Sequence, residues 1–299
     1  MEKLILSIAD LSIAVRAEKH LEVFLSPLTT LFSGFINNAS EPAAFLNLSF
    51  DHLNTYPNFK DIPVNLLTGE CRESKELINQ IGKAYPISKD SIVVGYLNGC
   101  LAYNGSSNEA CLLLFRSHDQ NNFVATLHKM LFIFISFVLG ERRRFMVHGA
   151  GIGEIHGGGG FLFLGGSGAG KTTVAGFAGM DAVLSDDAPV IGKEDGIYYI
   201  YSSPFSQVNL FDERSSDYFR KKAQLRKLLF LNKADEIAVT PRERHFALTE
   251  ILTSHVHSFD LMDRHLRIGA FNFCHDLCYS IPAYDLYFQE NNKFWDTLN

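Results

Sequence analysis

Between residues 161 and 178 the chain passes from an apolar run, Phe161-Leu162-Phe163-Leu164, through Gly165-Gly166-Ser167-Gly168-Ala169-Gly170-Lys171-Thr172, into Thr173-Val174-Ala175-Gly176-Phe177-Ala178. No other stretch restricts the fold as much. The central eight residues read G-x-x-x-x-G-K-[ST], the pattern of a loop that cradles the phosphates of a nucleoside triphosphate. The apolar run before it predicts a buried strand, and the residues after it the first turns of a helix. A strand, a glycine loop and a helix N-terminus gather backbone N–H groups and a positive dipole end around an anion. Lys171 is then placed for the β- and γ-phosphates and Thr172 for Mg²⁺, with Thr173 beside them at the helix start. A chance glycine-rich turn is the competing reading in a chain with 23 glycines. It does not explain why lysine, hydroxyl and flanking elements agree.

A length of 299 residues suffices for one large domain or two ordinary ones. With 46% hydrophobic and 20% charged residues the chain is core-forming. A formal net charge of −6 argues against a nucleic-acid partner, whose binders are usually basic. The five cysteines (Cys71, Cys100, Cys111, Cys274, Cys278) are odd in number and have no framework spacing, which suits reduced thiols in the cytoplasm. The N-terminus does not read as a signal peptide. The most membrane-like run, residues 130–139, is ten residues long between charged flanks, against about 20 for a span. A buried helix and no membrane association are expected.

Residues 1–121 read as an α/β module and 122–299 as the nucleotide-binding domain. In the first part, strands are expected at 4–9, 11–15, 43–50, 91–96 and 110–115, helices at 18–35 and 75–81, and a hairpin turn at 104–108. No motif there names a chemistry. A long helix over about 122–143 leads to the second part. There 145–152 and 161–164 form a hairpin closed by the glycine run 157–160. An apolar strand beginning at 181 ends on Asp186-Asp187, about fifteen residues beyond Lys171. That is where a nucleotide-binding sheet places a metal-binding aspartate, and a second acid beside it can accept a proton from an attacking hydroxyl. The bland reading of such a pair is a solvated turn. Beyond it come a strand at 197–201, a turn at 202–205, a basic helix carrying Arg220, Lys221, Lys222, Arg226 and Lys227, and a strand at 228–231. Helices at 243–252 and 263–279 and a closing strand at 283–288 follow, with Phe294 and Trp295 packed at the end. Cys274 and Cys278 share a helix face with His275 between them; core packing is favoured over zinc, which needs four ligands. His245, His255, His257 and His265 receive no role.

His148-Gly149, then Gly165 to Thr172, then Asp186-Asp187 resemble, in order and approximate spacing, the catalytic domain of the HPr kinase/phosphorylases, a phosphoenolpyruvate-carboxykinase-like P-loop fold. More specifically, the chain resembles the HPr-kinase-related proteins of bacterial peptide-modification clusters, some of which phosphorylate a serine of a lasso peptide precursor. Ser203-Pro204-Phe205, the run 228–232, and Tyr284, Leu286, Phe288, Phe294 and Trp295 follow that group's pattern more loosely. The resemblance covers residues 122–299 and the N-terminal part only in outline. It implies an α/β P-loop kinase domain preceded by an α/β module, with ATP and Mg²⁺ as donor and cofactor and a serine-bearing peptide or protein as acceptor. A homo-oligomer is implied too. Carried across by position, Lys171 binds phosphates, Thr172 and Asp187 hold the metal, Asp186 accepts the proton, and His148 lies close to Asp186 and orients it. Two departures stand out. Thr173 occupies a position that is glutamate in HPr kinases, and their downstream glycine- and arginine-rich signature has no counterpart, so reverse phosphorylase chemistry is not expected. A small-metabolite kinase of the same fold, a non-catalytic ATP-binding module and a carboxykinase are the rival readings.

Overall fold

The computed structural model describes residues 2–17, 25–37, 41–51, 91–96, 99–115, 120–153, 159–179, 181–205, 222–289 and 291–298. The helix expected at 75–81, residues 157–158 of the expected turn, the first residues of the helix expected at 18–35, and Arg220 and Lys221 of the expected basic helix lie outside them. The described chain is mixed α/β with two sheets. It divides into two compact units, Met1–Glu141 with Asp260–Asp263, and Arg142–Phe259 with Arg264–Asn299. The long helix thus groups with the first unit, and the division falls at 141/142, where the sequence suggested 121/122.

In the first unit, β1 (Glu2–Ile8) and β2 (Leu11–Ala17) pair antiparallel across a turn in which Ala9 and Asp10 both have positive φ. That backbone twist matches the flanking strands. With β3 (Ala44–Asp51), β4 (Ser91–Tyr96), β5 (Gly99–Asn104) and β6 (Glu109–Phe115) they form one sheet, ordered β1-β2-β3-β6-β5-β4. Residues 110–114 are buried without alternation, so this strand is covered on both faces. Helix α1 (Leu25–Leu31) lies within the helix expected over 18–35 and is followed by a 3₁₀ turn at Ser33–Phe35. Helix α2 (Gln120–Glu141) has an apolar stretch, Phe123–Glu141, long enough to cross a bilayer, longer than the ten residues that stand out in the sequence. Its 18-residue window is 72% buried, with Phe134 and Phe137 against Tyr103. Burial of this kind belongs to a core helix. Burial also pushes the Cys111 thiol up to about 12.

The second unit holds the phosphate-loop sequence. Its strands are β7 (Phe145–Met146), β8 (Gly149–Ile152), β9 (Gly160–Leu164), β10 (Val183–Ser185), β11 (Val190–Glu194), β12 (Ile197–Tyr201), β13 (Lys222–Lys233), β14 (Ala238–Pro241) and β15 (Ala283–Phe288). They form a sheet ordered β10-β8-β9-β13-β12-β11-β7, with β15 also beside β13 and β14 beside β15. The stretch expected as one strand over 145–152 breaks at Val147-His148, and its two halves pair with different neighbours. A second correction concerns the basic residues. Lys222, Arg226 and Lys227 lie on the twelve-residue strand β13 and not on a helix. Ala223 and Leu225 are buried and alternate with more exposed neighbours, a period of two that continues into the buried run Leu228–Leu231. Lys222 Nζ donates to Glu194 Oε2 at 2.6 Å and, with Tyr201 and Arg144, holds that carboxyl down to about 2.

Helices α3 (Lys171–Ala178), α4 (Arg244–Glu250) and α5 (Arg264–Ser280) complete this unit. Cys274 and Cys278 are buried on α5, the latter with its pKa pushed up to about 11, as core packing requires. The main core joins Phe161 and Phe163 of β9, Val174 and Ala175 of α3, Leu229 and Leu231 of β13, Leu286 and Phe288 of β15, and Phe294. Leu229 is fully buried there, paired in register with Phe163 on one side and Tyr284 on the other. Leu229→Ala should lower the stability of this unit by roughly 2–5 kcal/mol, read by the fluorescence of Trp295 during denaturation. A loss below ~1 kcal/mol would place the core elsewhere.

Candidate functional site

Strand direction decides what meets at one edge of the sheet. β9 and β13 run parallel, and β10 runs parallel to β9 because both pair antiparallel with β8. The chain therefore leaves β9, β10 and β13 at the same edge and enters β8 there. Gly165 follows β9, Asp186-Asp187 follow β10, Lys233 ends β13 and His148 precedes β8. Carboxyl ends of strands are where open α/β sheets bind ligands.

The glycine loop connects β9 to α3 as expected. Gly170 caps the helix at φ +107, and a Cβ there would lie 2.6 Å from the Phe288 ring. Only glycine suits both constraints. Lys171 is largely buried; its Nζ donates to the carbonyls of Gly165 at 2.8 Å and Gly166 at 2.9 Å, which folds the ammonium back over the loop. Burial pushes its pKa below the ordinary lysine range, and nearby Asp187 pushes it back up.

The turn after β10 is shaped by Ser185. Its fully buried hydroxyl donates to the Phe205 carbonyl at 3.1 Å and accepts from the Ala188 amide at 3.1 Å. Asp186 is only 2% exposed. Asp187 is partly exposed, and its carbonyl accepts the Gly149 N–H at 3.1 Å. This bond ties the turn to the start of β8 and sets His148 beside it. His148 Nδ1 lies 3.1 Å from Asp187 Oδ1. The histidine pairs with the second carboxylate, where the resemblance implied the first.

These residues enclose a cleft of about 270 Å³ lined by His148, Ser167, Gly168, Gly170, Lys171, Thr172, Thr173, Asp186, Asp187 and Lys233. Gly165, Gly166 and Ala169 shape the loop without lining it. The lining holds two lysines, two carboxylates and three hydroxyls, and no large apolar side chain. That composition suits a polyanion with a hard cation, and Thr172 with the two aspartates supplies the oxygen donors Mg²⁺ prefers. Sequence reasoning missed Lys233, and it placed Phe288 on the closing strand without its effect on Gly170. His255 and His257 had no role in the sequence reading, yet their rings lie 6.3 Å and 5.6 Å from that of His148.

The chain matches no family model and no curated protein sequence.

Gly170→Ala combines an unfavourable φ with a clash against Phe288. It should cost roughly 1–3 kcal/mol of stability, measured by Trp295 fluorescence. A loss under ~0.5 kcal/mol would mean that the loop does not need this backbone.

Proposed function

We propose that this protein is an ATP- and Mg²⁺-dependent kinase that transfers the γ-phosphoryl group to a serine hydroxyl of a peptide or protein. The observation that carries this reading is the convergence of a phosphate loop and two carboxylates on one small polar cleft. A triphosphate-binding module needs the loop. A module that also moves the phosphate needs an oxygen base and a metal-side acid beside it, and Asp186 and Asp187 are both there. The resemblance to HPr kinases names the serine acceptor, and the class of that acceptor rests on it.

At about 270 Å³ the cleft suits the triphosphate end of the nucleotide and the incoming hydroxyl, and leaves base and ribose outside. Lys171 exchanges its loop carbonyls for β- and γ-phosphate oxygens, which are stronger acceptors for an ammonium. Mg²⁺, when bound, neutralises charge on the phosphate oxygens. Thr172 and Asp187 would hold it. His148 meets Asp187 at Oδ1, the way an outer partner orients a metal-binding carboxylate. Asp186 takes the proton of the acceptor hydroxyl as its oxygen attacks the γ-phosphorus in line with the departing ADP.

With γ-labelled ATP, Mg²⁺ and serine-bearing peptides, Asp186→Asn should bind ATP within about threefold of wild type and transfer ~100-fold slower or worse. Transfer by Asp186→Asn at the wild-type rate would remove that residue from the reaction. Lys171→Met should lose both ATP binding and transfer. Wild-type affinity for ATP in Lys171→Met would show that the nucleotide does not use this loop.

A further inference from the structure

His148 is held in place by a residue that lies outside the cleft. After α4, residues Ile251–His255 make one wide π turn, closed by the Val256 N–H donating to the Ile251 carbonyl at 2.9 Å. Such turns inside helical segments are often found at functional sites. This one ends on His255, 2% exposed, and carries it to the break between β7 and β8. There Val147 and Val256 form an antiparallel bridge. Two hydrogen bonds join His255 to the same residue. The His148 N–H donates to the His255 carbonyl at 2.7 Å, and His255 Nδ1 lies 2.8 Å from the His148 carbonyl. Because a carbonyl can only accept, that Nδ1 carries a hydrogen. The two rings are stacked, 18° from parallel.

The far side of His255 faces a carboxylate that is itself anchored. Its Nε2 faces Glu250 Oε1 at 3.5 Å. Glu250 is ion-paired with Arg242, whose other arm donates to Asp285 on β15. Arg242 also lies over the Phe230 ring. A backbone bridge alone would explain the fold here. It does not explain a buried imidazole spent on one carbonyl, since burying such a group is unfavourable without a partner.

We propose that His255 is a positioning residue for phosphoryl transfer: it fixes the main chain of His148 so that the His148 imidazole meets Asp187 and holds that carboxylate in orientation. The consequence for transfer rests on the kinase reading; the positioning itself does not. Burial pushes the His255 pKa below the ordinary histidine range, against the pull of the His148 carbonyl and Glu250.

The test compares His255→Leu, which removes the donor, with His255→Asn, whose amide N–H replaces Nδ1–H. Two readouts are taken on the full chain. The first is kcat and KM for Mg·ATP in transfer to a serine peptide. The second is the ¹⁵N imidazole spectrum of His148 at fixed pH, which reports its tautomer whatever the protein catalyses. His255→Leu should lower kcat about tenfold or more, with KM for ATP within twofold, and should mix the His148 tautomers. His255→Asn should recover most of both. Wild-type kcat in the leucine variant, or no recovery in a folded asparagine variant, overturns the proposal. If the wild type transfers nothing, the kinase reading fails and the spectra decide the positioning: a His148 spectrum unchanged in His255→Leu overturns it, and one mixed in leucine but restored in asparagine upholds it.

Discussion

The parallel pairing of β9 with β13 is the contact on which the second unit depends. It places Phe163 against Leu229 and brings the ends of two strands to one edge. Because β13 is twelve residues long, it pairs with β12 early and with β15 late, so one strand ties three neighbours together. The aromatic core of Phe163, Phe288 and Phe294 follows from that arrangement, and Phe288 in turn sets the space that Gly170 must leave. The loop is therefore shaped by packing under it as much as by its own glycines.

At that edge, opposite charges are brought close without being buried as a single pair. Lys171 is held by two loop carbonyls, Asp187 by His148, and the Asp186–Asp187 turn by the Ser185 hydroxyl. Lys171, Asp187 and the turn that carries Asp186 are each fixed from the protein side. Held charges around a small polar space are what phosphoryl transfer requires, since its catalysis consists of positioning and electrostatic stabilisation.

The strand-loop-helix of residues 160–178 was legible in the sequence because its signal is local: an apolar run, glycines at positive φ, and a lysine and hydroxyl at the helix start. Asp186-Asp187 were legible by their distance from Lys171. His148 was found through resemblance, but its partner was not, because which aspartate it meets depends on the Gly149–Asp187 backbone bond between two strands. The basic stretch around Lys222 misled because charge suggested a helix while the alternation of Ala223 and Leu225 already had the strand period. The parts played by Lys233, Phe288 and His255 were invisible for a common reason. Each acts on the site from a separate part of the chain, through a strand register or a π turn that no short pattern encodes.

The claim on which the account stands is that a magnesium–triphosphate sits in the cleft between the loop and the aspartates. Amide hydrogen exchange of the full chain with and without Mg²⁺ and a non-hydrolysable ATP analogue tests it most directly. Slowed exchange at residues 166–173 and 186–187, together with the end of β13 at Lys233, is the expected footprint. Unchanged exchange at all of these under saturating ligand, or protection confined to the strands of the first unit, would contradict it.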